Sequence, residues 1–350
     1  MSEQILETVV GHTRLKNPVI AGAAEHLIDA EGVRRALRAG VSAVVVKSTN
    51  ESQAARDQLQ QAEYMVLDEN WHPVPWGRSA PKTAFVACRS GLTPQSFDEW
   101  LEQTAMLDRE ARTYDAFAVA SLILSDIDRA VMMAKQIESA GIRILELNIG
   151  TPYASQSARG AVSTELSPER IESIVKAIRA AVAIPVWVKI TGQSERVPDL
   201  AQSAFGAGAD AVVMAGRLLG LIPDVDTFEP MLGTTLGVGG PWNLPLTCHW
   251  LAMSRRRLGP QKSLIATNGA QTGLDVVRMM LAGASAVEMS SQVMLRGFSI
   301  LSDAIAELGS YTTEKNVSVI DLIGRAADAR KGFEEMKVLS NKWRRYVPQD

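Results

Sequence analysis

Two lysines occupy apolar surroundings in this 350-residue chain, Lys47 in VVVKST and Lys189 in VWVKIT. An ammonium buried in such a run is costly unless an anion meets it, so each side chain either snorkels to a rim or finds a negative partner. Two of them, followed by hydroxyls at Ser48 and Thr191, favour a bound anion. Near the end of the chain, Asn268-Gly269 closes one apolar run before TGLDVVRMML, and Ser290-Ser291 closes another before QVMLRG. Small residues at both places let backbone N–H groups at helix starts close on a phosphate. Together with the lysines they point to a phosphate-bearing cofactor. A third constellation is ELNIGTPYA, residues 146–154, which starts as a strand and breaks into a Gly-Thr-Pro turn, leaving Asn148, Thr151 and Tyr153 at the break.

The elements that must position these residues are short apolar runs at 17–24, 42–49, 82–88, 115–122, 142–149, 184–191, 209–216, 262–269 and 284–291. They alternate with amphipathic segments, the signature of repeated βα units and a parallel sheet. With 82–88 set aside as an extra strand beside an insertion, eight remain, enough to close a (β/α)8 TIM barrel. The expected architecture is α/β: an N-terminal β-hairpin, a barrel spanning residues 1–310, long loops at its C-terminal face, and a helical extension at 311–350 packed outside. Residues 167–182, SPERIESIVKAIRAAV, read as a helix with a Ser cap and Pro in the first turn. Gly40, Gly141, Gly208 and Gly283 are placed to end four helices. Two stretches, 50–80 and 217–245, exceed ordinary connection lengths and follow strand ends on the face where barrels do chemistry. The second is expected to form a lid.

Composition removes several function classes. The 36 Lys and Arg nearly balance 39 Asp and Glu, which supplies no field for nucleic acid or an anionic membrane. The basic cluster SRRRLGP at 254–260 sits at an expected helix end, where the dipole favours it. Only Cys88 and Cys248 occur, against a disulfide framework, a zinc ribbon or a built-in iron-sulfur cluster, and no metal site is expected. No signal-like start and no spanning run of about 18 apolar residues is present, so the expectation is a soluble, cytoplasmic protein.

NPVIAGAA, VVVKST, LELNIGTPY, VWVKIT, GVGG and NGAQTGLDVVRMMLAGASAVEMSS resemble, in order and over roughly residues 5–310, the FMN barrel of dihydroorotate dehydrogenases and of the pyrimidine-reducing half of dihydropyrimidine dehydrogenase. The resemblance implies FMN as cofactor, with contacts at Gly22, Ala23, Ala24, Lys47, Ser48, Asn148, Lys189, Gly239, Gly240, Asn268, Gly269, Ser290 and Ser291. Lys189 would sit near the pyrimidine end of the flavin, where positive charge stabilises the reduced ring. In the family a Cys or Ser stands at the position of Thr151 and moves the proton during hydride transfer. Threonine is a much weaker acid than a thiol, so it would relay a proton or donate a hydrogen bond. A homodimer is also implied, and the electron partner stays open between nicotinamide, a free acceptor, oxygen and a separate electron-transfer subunit.

Departures from the family pattern bear on the substrate. The Asn that follows the family Pro is Tyr153 here, Thr-Pro-Asn is Thr191-Gly192-Gln193, Asn-Thr is Gly216-Arg217, and an Asn-x-x-Gly-x segment is CRSGL at 88–92. Most pyrimidine-reading asparagines are therefore missing, each lost pairing costing about 1–3 kcal/mol. Tyr153, Arg217, Trp242 and His26 are the expected substrate contacts, with Arg89, His249 and Trp250 as further candidates, for a conjugated carbonyl compound bearing a carboxylate. His12 and His72 suggest no chemistry. The rival readings are a non-redox lyase or isomerase using the phosphate site and a Schiff-base lysine, and a flavin-binding subunit without turnover.

Overall fold

The computed structural model describes residues 5–123, 126–150, 167–214, 216 and 218–348. In chain order its strands are β1 (Thr8–Val10), β2 (Thr13–Leu15), β3 (Val19–Ala21), β4 (Ala43–Val45), β5 (Glu63–Leu67), β6 (Pro73–Val74), β7 (Phe85–Arg89) and β8 (Phe117–Ile123). There follow β9 (Leu145–Asn148), β10 (Val186–Lys189), β11 (Ala211–Met214), β12 (Leu218–Gly220), β13 (Leu236–Gly239), β14 (Ser263–Thr267) and β15 (Ala284–Met289). Eight of these close a parallel barrel in the order β10-β11-β14-β15-β3-β4-β8-β9. The expected strand count holds, and the run set aside at 82–88 becomes β7, outside the barrel.

Strand alternation divides the barrel residues into two sets. Val186 and Val188, Leu145 and Leu147, and Ala284 and Val287 pack outward against the helices. Ile20, Val45, Val119, Trp187, Val213, Ile265 and Ala286 face inward and fill the barrel. The same parity aims Glu146, Lys189 and Glu288 inside, above that apolar plug, because a charged residue two positions from an inward one shares its direction. At the other end the β1–β2 hairpin presses Val10 and Leu15 onto the plug. Thr8 Oγ1 donates to Ser285 O at 2.9 Å and Gly11 N donates to Ser263 Oγ at 2.9 Å, tying the hairpin to the starts of β14 and β15.

The helices follow their local signals. Pro168–Ala181 is capped by Ser167, whose side chain accepts from Arg170 N. Gly40, Gly141, Gly208 and Gly283 all have positive φ, the left-handed termini that their positions require. The two long stretches combine into one further sheet, ordered β12-β13-β7-β5-β6, standing over the barrel mouth. The segment 217–245 thus contributes paired strands to a wall instead of a free lid.

The C-terminal extension is helical at its start. Helix Ser299–Lys315 spans position 310. Two short helices follow, Val319–Leu322 and Arg325–Asp328, separated at Gly324 with φ +80. Val319 and Leu322 are buried, and Arg255 pairs with Asp328 at 2.7 Å. Beyond them the chain lies exposed, with Phe333 93 % and Tyr346 76 % accessible, and an amphipathic segment that buries no face gains too little to stay helical.

Candidate active site

The barrel mouth and the added sheet enclose a cavity of about 990 Å³, measured with its mouth. Its floor is the polar layer above the plug. Lys189 Nζ donates to Glu288 Oε2 at 2.7 Å and to Glu146 Oε1 at 3.0 Å. Ser121 Oγ donates to Glu146 Oε1 at 3.2 Å, and the Ser48 and Ser121 hydroxyls pair at 2.8 Å. A continuous hydrogen-bonded chain therefore crosses the barrel from Ser48 to Glu288. Lys47, at the end of β4, donates to Glu25 Oε1 at 2.8 Å.

These contacts give both lysines anionic partners. The anions that meet them are side chains of the same protein, and the signal was visible: Glu146 in LELNI and Glu288 in AVEMS are as unusual in apolar runs as the lysines are. Burial alone would lower the pKa of Lys189, but the Glu146 and Glu288 charges outweigh it and the net displacement is upward. Glu288 moves the other way from most carboxylates. Burial and the Glu146 charge raise its pKa to about 8 despite Lys189.

Ala23, Ala24, Lys47, Ser48, Asn148, Lys189, Gly239, Asn268, Gly269, Ser290 and Ser291 all line the cavity. Gly22 and Gly240 stand behind the lining. A Cβ on Gly22 would meet Ser290 Oγ at 2.4 Å and one on Gly240 would meet Phe85 Cβ at 2.4 Å, so these glycines serve close packing between elements. Asn268, with φ +70, knits three segments: its Oδ1 accepts Gly240 N at 3.2 Å, its Nδ2 reaches Gly216 O at 3.5 Å, and its carbonyl accepts the Thr247 hydroxyl at 2.8 Å. The start of helix Gly273–Leu281 is already satisfied, by the Thr272–Asp275 capping box and by Glu307, which accepts Gly273 N. It is therefore closed to phosphate. The Ser290-Ser291 turn has no such side-chain cap, and it faces the cavity.

Thr151, the expected proton-handling residue, and Tyr153 and Arg217 among the expected substrate contacts lie outside the described residues. The rest are elsewhere. His26 buries both ring nitrogens without partners while part of the residue remains accessible, and it packs edge-on to Phe298 at 5.6 Å, away from the cavity lining. Desolvation holds its pKa down near about 3, so it stays neutral. Trp242 points out to solvent and meets Phe85 at 6.5 Å. Arg89 is tied to Glu63, Gln61 O and Leu232 O, which fastens the added sheet. Trp250 Nε1 donates to Gly192 O and stacks edge-on with His249. The Gln193 amide makes a two-way pair with the backbone of Leu219, adding a rung beside β12.

The wall that sequence reasoning missed comes from the added sheet. Val86, Cys88 and Ser90 alternate along β7 and its end to face the cavity, and Tyr64, paired in register with Cys88, joins them. Their signal was the same alternation, hidden because their partner strands are distant in sequence.

The residues present fit FMN. The floor offers charged and amide groups, Met289 and Met294 add apolar surface, and Gly216 forms a cradle: a Cβ there would meet no described atom nearer than Ile190 O at 4.0 Å, leaving flat backbone against the cavity. Among the described residues no cluster of three His, Cys, Asp or Glu side chains could hold a metal ion, and no helix is long and apolar enough to cross a membrane.

Comparison with known proteins agrees with this geometry. The family model described as dihydroorotate dehydrogenase matches residues 73–311. The catalytic subunit of dihydroorotate dehydrogenase B (NAD(+)) from Methanocaldococcus jannaschii is 26% identical over 333 residues, covering 93% of this chain and 99% of that protein. Dihydroorotate dehydrogenase A (fumarate) from Lactobacillus helveticus is 29% identical over 241 residues, or 67% of this chain and 75% of that protein. The crystal structure of the Eimeria tenella dihydroorotate dehydrogenase in complex with ferulenol superposes with a TM-score of 0.70 at 16% identity, covering 94% of this chain and 90% of that one, a likeness of fold. A match across more than half its length, on a barrel whose mouth carries the residues described above, makes this chain a member of the dihydroorotate dehydrogenase family.

Proposed function

We propose that this chain is an FMN-dependent oxidoreductase acting on a carbon-carbon bond next to a carbonyl, with a substrate other than orotate. The observation that carries the reading is the meeting, in one cavity, of Lys189 with its buried carboxylates, the Gly216 cradle and the uncapped Ser290-Ser291 turn. Bound FMN would supply hydride transfer. The chain's own residues do the rest: Asn148, Lys189 and Asn268 orient the ring by hydrogen bonds, Ser48, Ser290 and Ser291 hold polar groups at the cavity edge, and the sheet wall excludes water above. Thr151 is proposed as the proton-handling residue and Tyr153 and Arg217 as substrate contacts.

The non-orotate substrate rests on the second wall. Cys88 stands where the family resemblance expects an asparagine, and its neighbours Val86 and Tyr64 present more apolar surface than a pyrimidine's edges would pair with. A Schiff-base reaction at Lys189 is disfavoured, since an ammonium held by two carboxylates does not offer a free amine. A homodimer, and a separate electron-transfer partner of the kind the B-type relative's designation as a catalytic subunit suggests, are proposed associations. The test begins with the spectrum of the purified protein and titration of stripped protein with FMN. Photoreduced protein is then offered, without oxygen, orotate, cyclic amides and unsaturated acids. Absence of flavin binding overturns the cofactor; fastest reoxidation by orotate overturns the substrate.

A further inference from the structure

Four carboxylate oxygens and one ammonium share the polar floor, and the count does not balance. Glu146 and Glu288 have side chains with no solvent exposure, and among the described residues Lys189 is their one cationic partner. Glu146 Oε2 lies 2.9 Å from Lys189 Nζ without hydrogen-bond alignment, and both it and Glu288 Oε1 lack a hydrogen-bond partner. Lys189 Nζ bridges the two carboxyl groups, 2.7 Å from Glu288 Oε2 and 2.9 Å from Glu146 Oε2, which brings them side by side. Neighbouring strands bring no further charge: β8 contributes Ser121, β14 Thr267 and β3 Ile20 in register beside them, and the next ion pair, Lys47–Glu25, is self-contained. Two acceptor-only groups cannot pair without a hydrogen between them. Two ionised carboxylates against one ammonium would also leave the floor negative beneath the cofactor.

We propose that Glu146 and Glu288 share one proton at neutral pH, taken up from water, so that the Lys189 layer is electrically neutral and receptive to an electron-rich ring. The proposal rests on the flavin reading for its use and on the geometry alone for its existence. The bound proton removes one negative charge from the pair and frees Lys189 to aim its remaining N–H at the cavity. Glu288 is thereby a positioning residue, acting on the ring through Lys189. Burial beside a second carboxyl is also the arrangement that raises a carboxyl pKa, in accord with the upward displacement of Glu288. Ser121 and Ser48 give the proton a hydrogen-bonded route to the cavity edge.

The decisive measurement is infrared titration of the cofactor-free protein. A protonated-carboxyl C=O band is expected at pH 7, fading in the alkaline range, shifting in deuterated water, and absent from Glu288→Gln. Glu146→Gln, which removes the other partner, is the second variant, and the wild-type band decides the matter should either variant fail to fold. In parallel, FMN affinity of the wild type should fall about tenfold per pH unit once the pair ionises, whereas Glu288→Gln should bind with little dependence over the same range. No such band at pH 7, or one unchanged in Glu288→Gln, overturns the shared proton even where FMN binds well. Failure to bind FMN at any pH overturns the cofactor reading and leaves the infrared result to stand.

Discussion

The cavity has two walls built on opposite principles. The barrel wall is made of strands whose register is fixed over the whole closed sheet, and it presents ionised groups locked by mutual contacts: Lys189 between Glu146 and Glu288, Lys47 on Glu25. The sheet wall is neutral, presenting Tyr64, Val86, Cys88 and Ser90, and its charges, such as the Arg89–Glu63 pair, sit outside as fasteners. A change on the first wall disturbs a network, because each ion is desolvated and depends on its neighbours. A change on the second alters one contact. Under the proposed function, cofactor retention would fall to the barrel and substrate choice to the added sheet, a division open to experiment.

Lys189→Ala carries the largest expected effect. It strands two buried carboxyls and should cost about 3–5 kcal/mol in urea unfolding, with loss of FMN binding. Gly216→Val separates binding from folding: the nearest described atom to the new Cβ is at 4.0 Å, so the melting temperature should stay near wild type, while FMN affinity falls about 100-fold or more, about 2.7 kcal/mol, by calorimetry. On the other wall, Cys88→Ala and Val86→Ala should change KM by about tenfold and reorder substrate preference, with FMN affinity unchanged. Equal loss of FMN affinity from both walls would dissolve the distinction.

A smaller effect lies behind the site. His26 is neutral when folded, with a pKa near about 3 against 6.5 in the open chain. The folded state therefore binds fewer protons between those values, and stability is present above pH 6.5 and lost as pH falls towards 3, with a slope approaching about 1.4 kcal/mol per pH unit. Glu288 acts in the opposite sense, its raised pKa withdrawing stability as pH rises from 4.5 towards 8. His26→Phe should remove the loss of stability towards pH 3 and Glu288→Gln the loss towards pH 8, the two contributions opposing each other between pH 4.5 and 6.5.

How much of this was readable in the sequence follows the same division. VWVK and LELN carry period-two alternation in strands with one unambiguous inside, so the barrel, the strand count and most of the cavity-lining residues were legible. The two glutamates were equally legible and were missed by reading the apolar runs for cations alone. The sheet wall was not legible, because β7 pairs with β5 and β13, the latter about 150 residues further along, and nothing local records that meeting. Trp242 and His26 looked like ligand contacts because they adjoin cofactor-binding motifs, but adjacency in the chain does not set a side chain's direction: one faces solvent, the other Phe298. The helical start of the tail was legible, and beyond Asp328 its pattern finds no surface on which to bury.

The hairpin under the barrel has a kinetic corollary. Val10 and Leu15 cork that end, so among the described residues the ionic floor opens towards the cavity mouth. A small-molecule electron donor and a small-molecule acceptor must then take turns, and steady-state plots at several fixed acceptor concentrations should run parallel instead of converging.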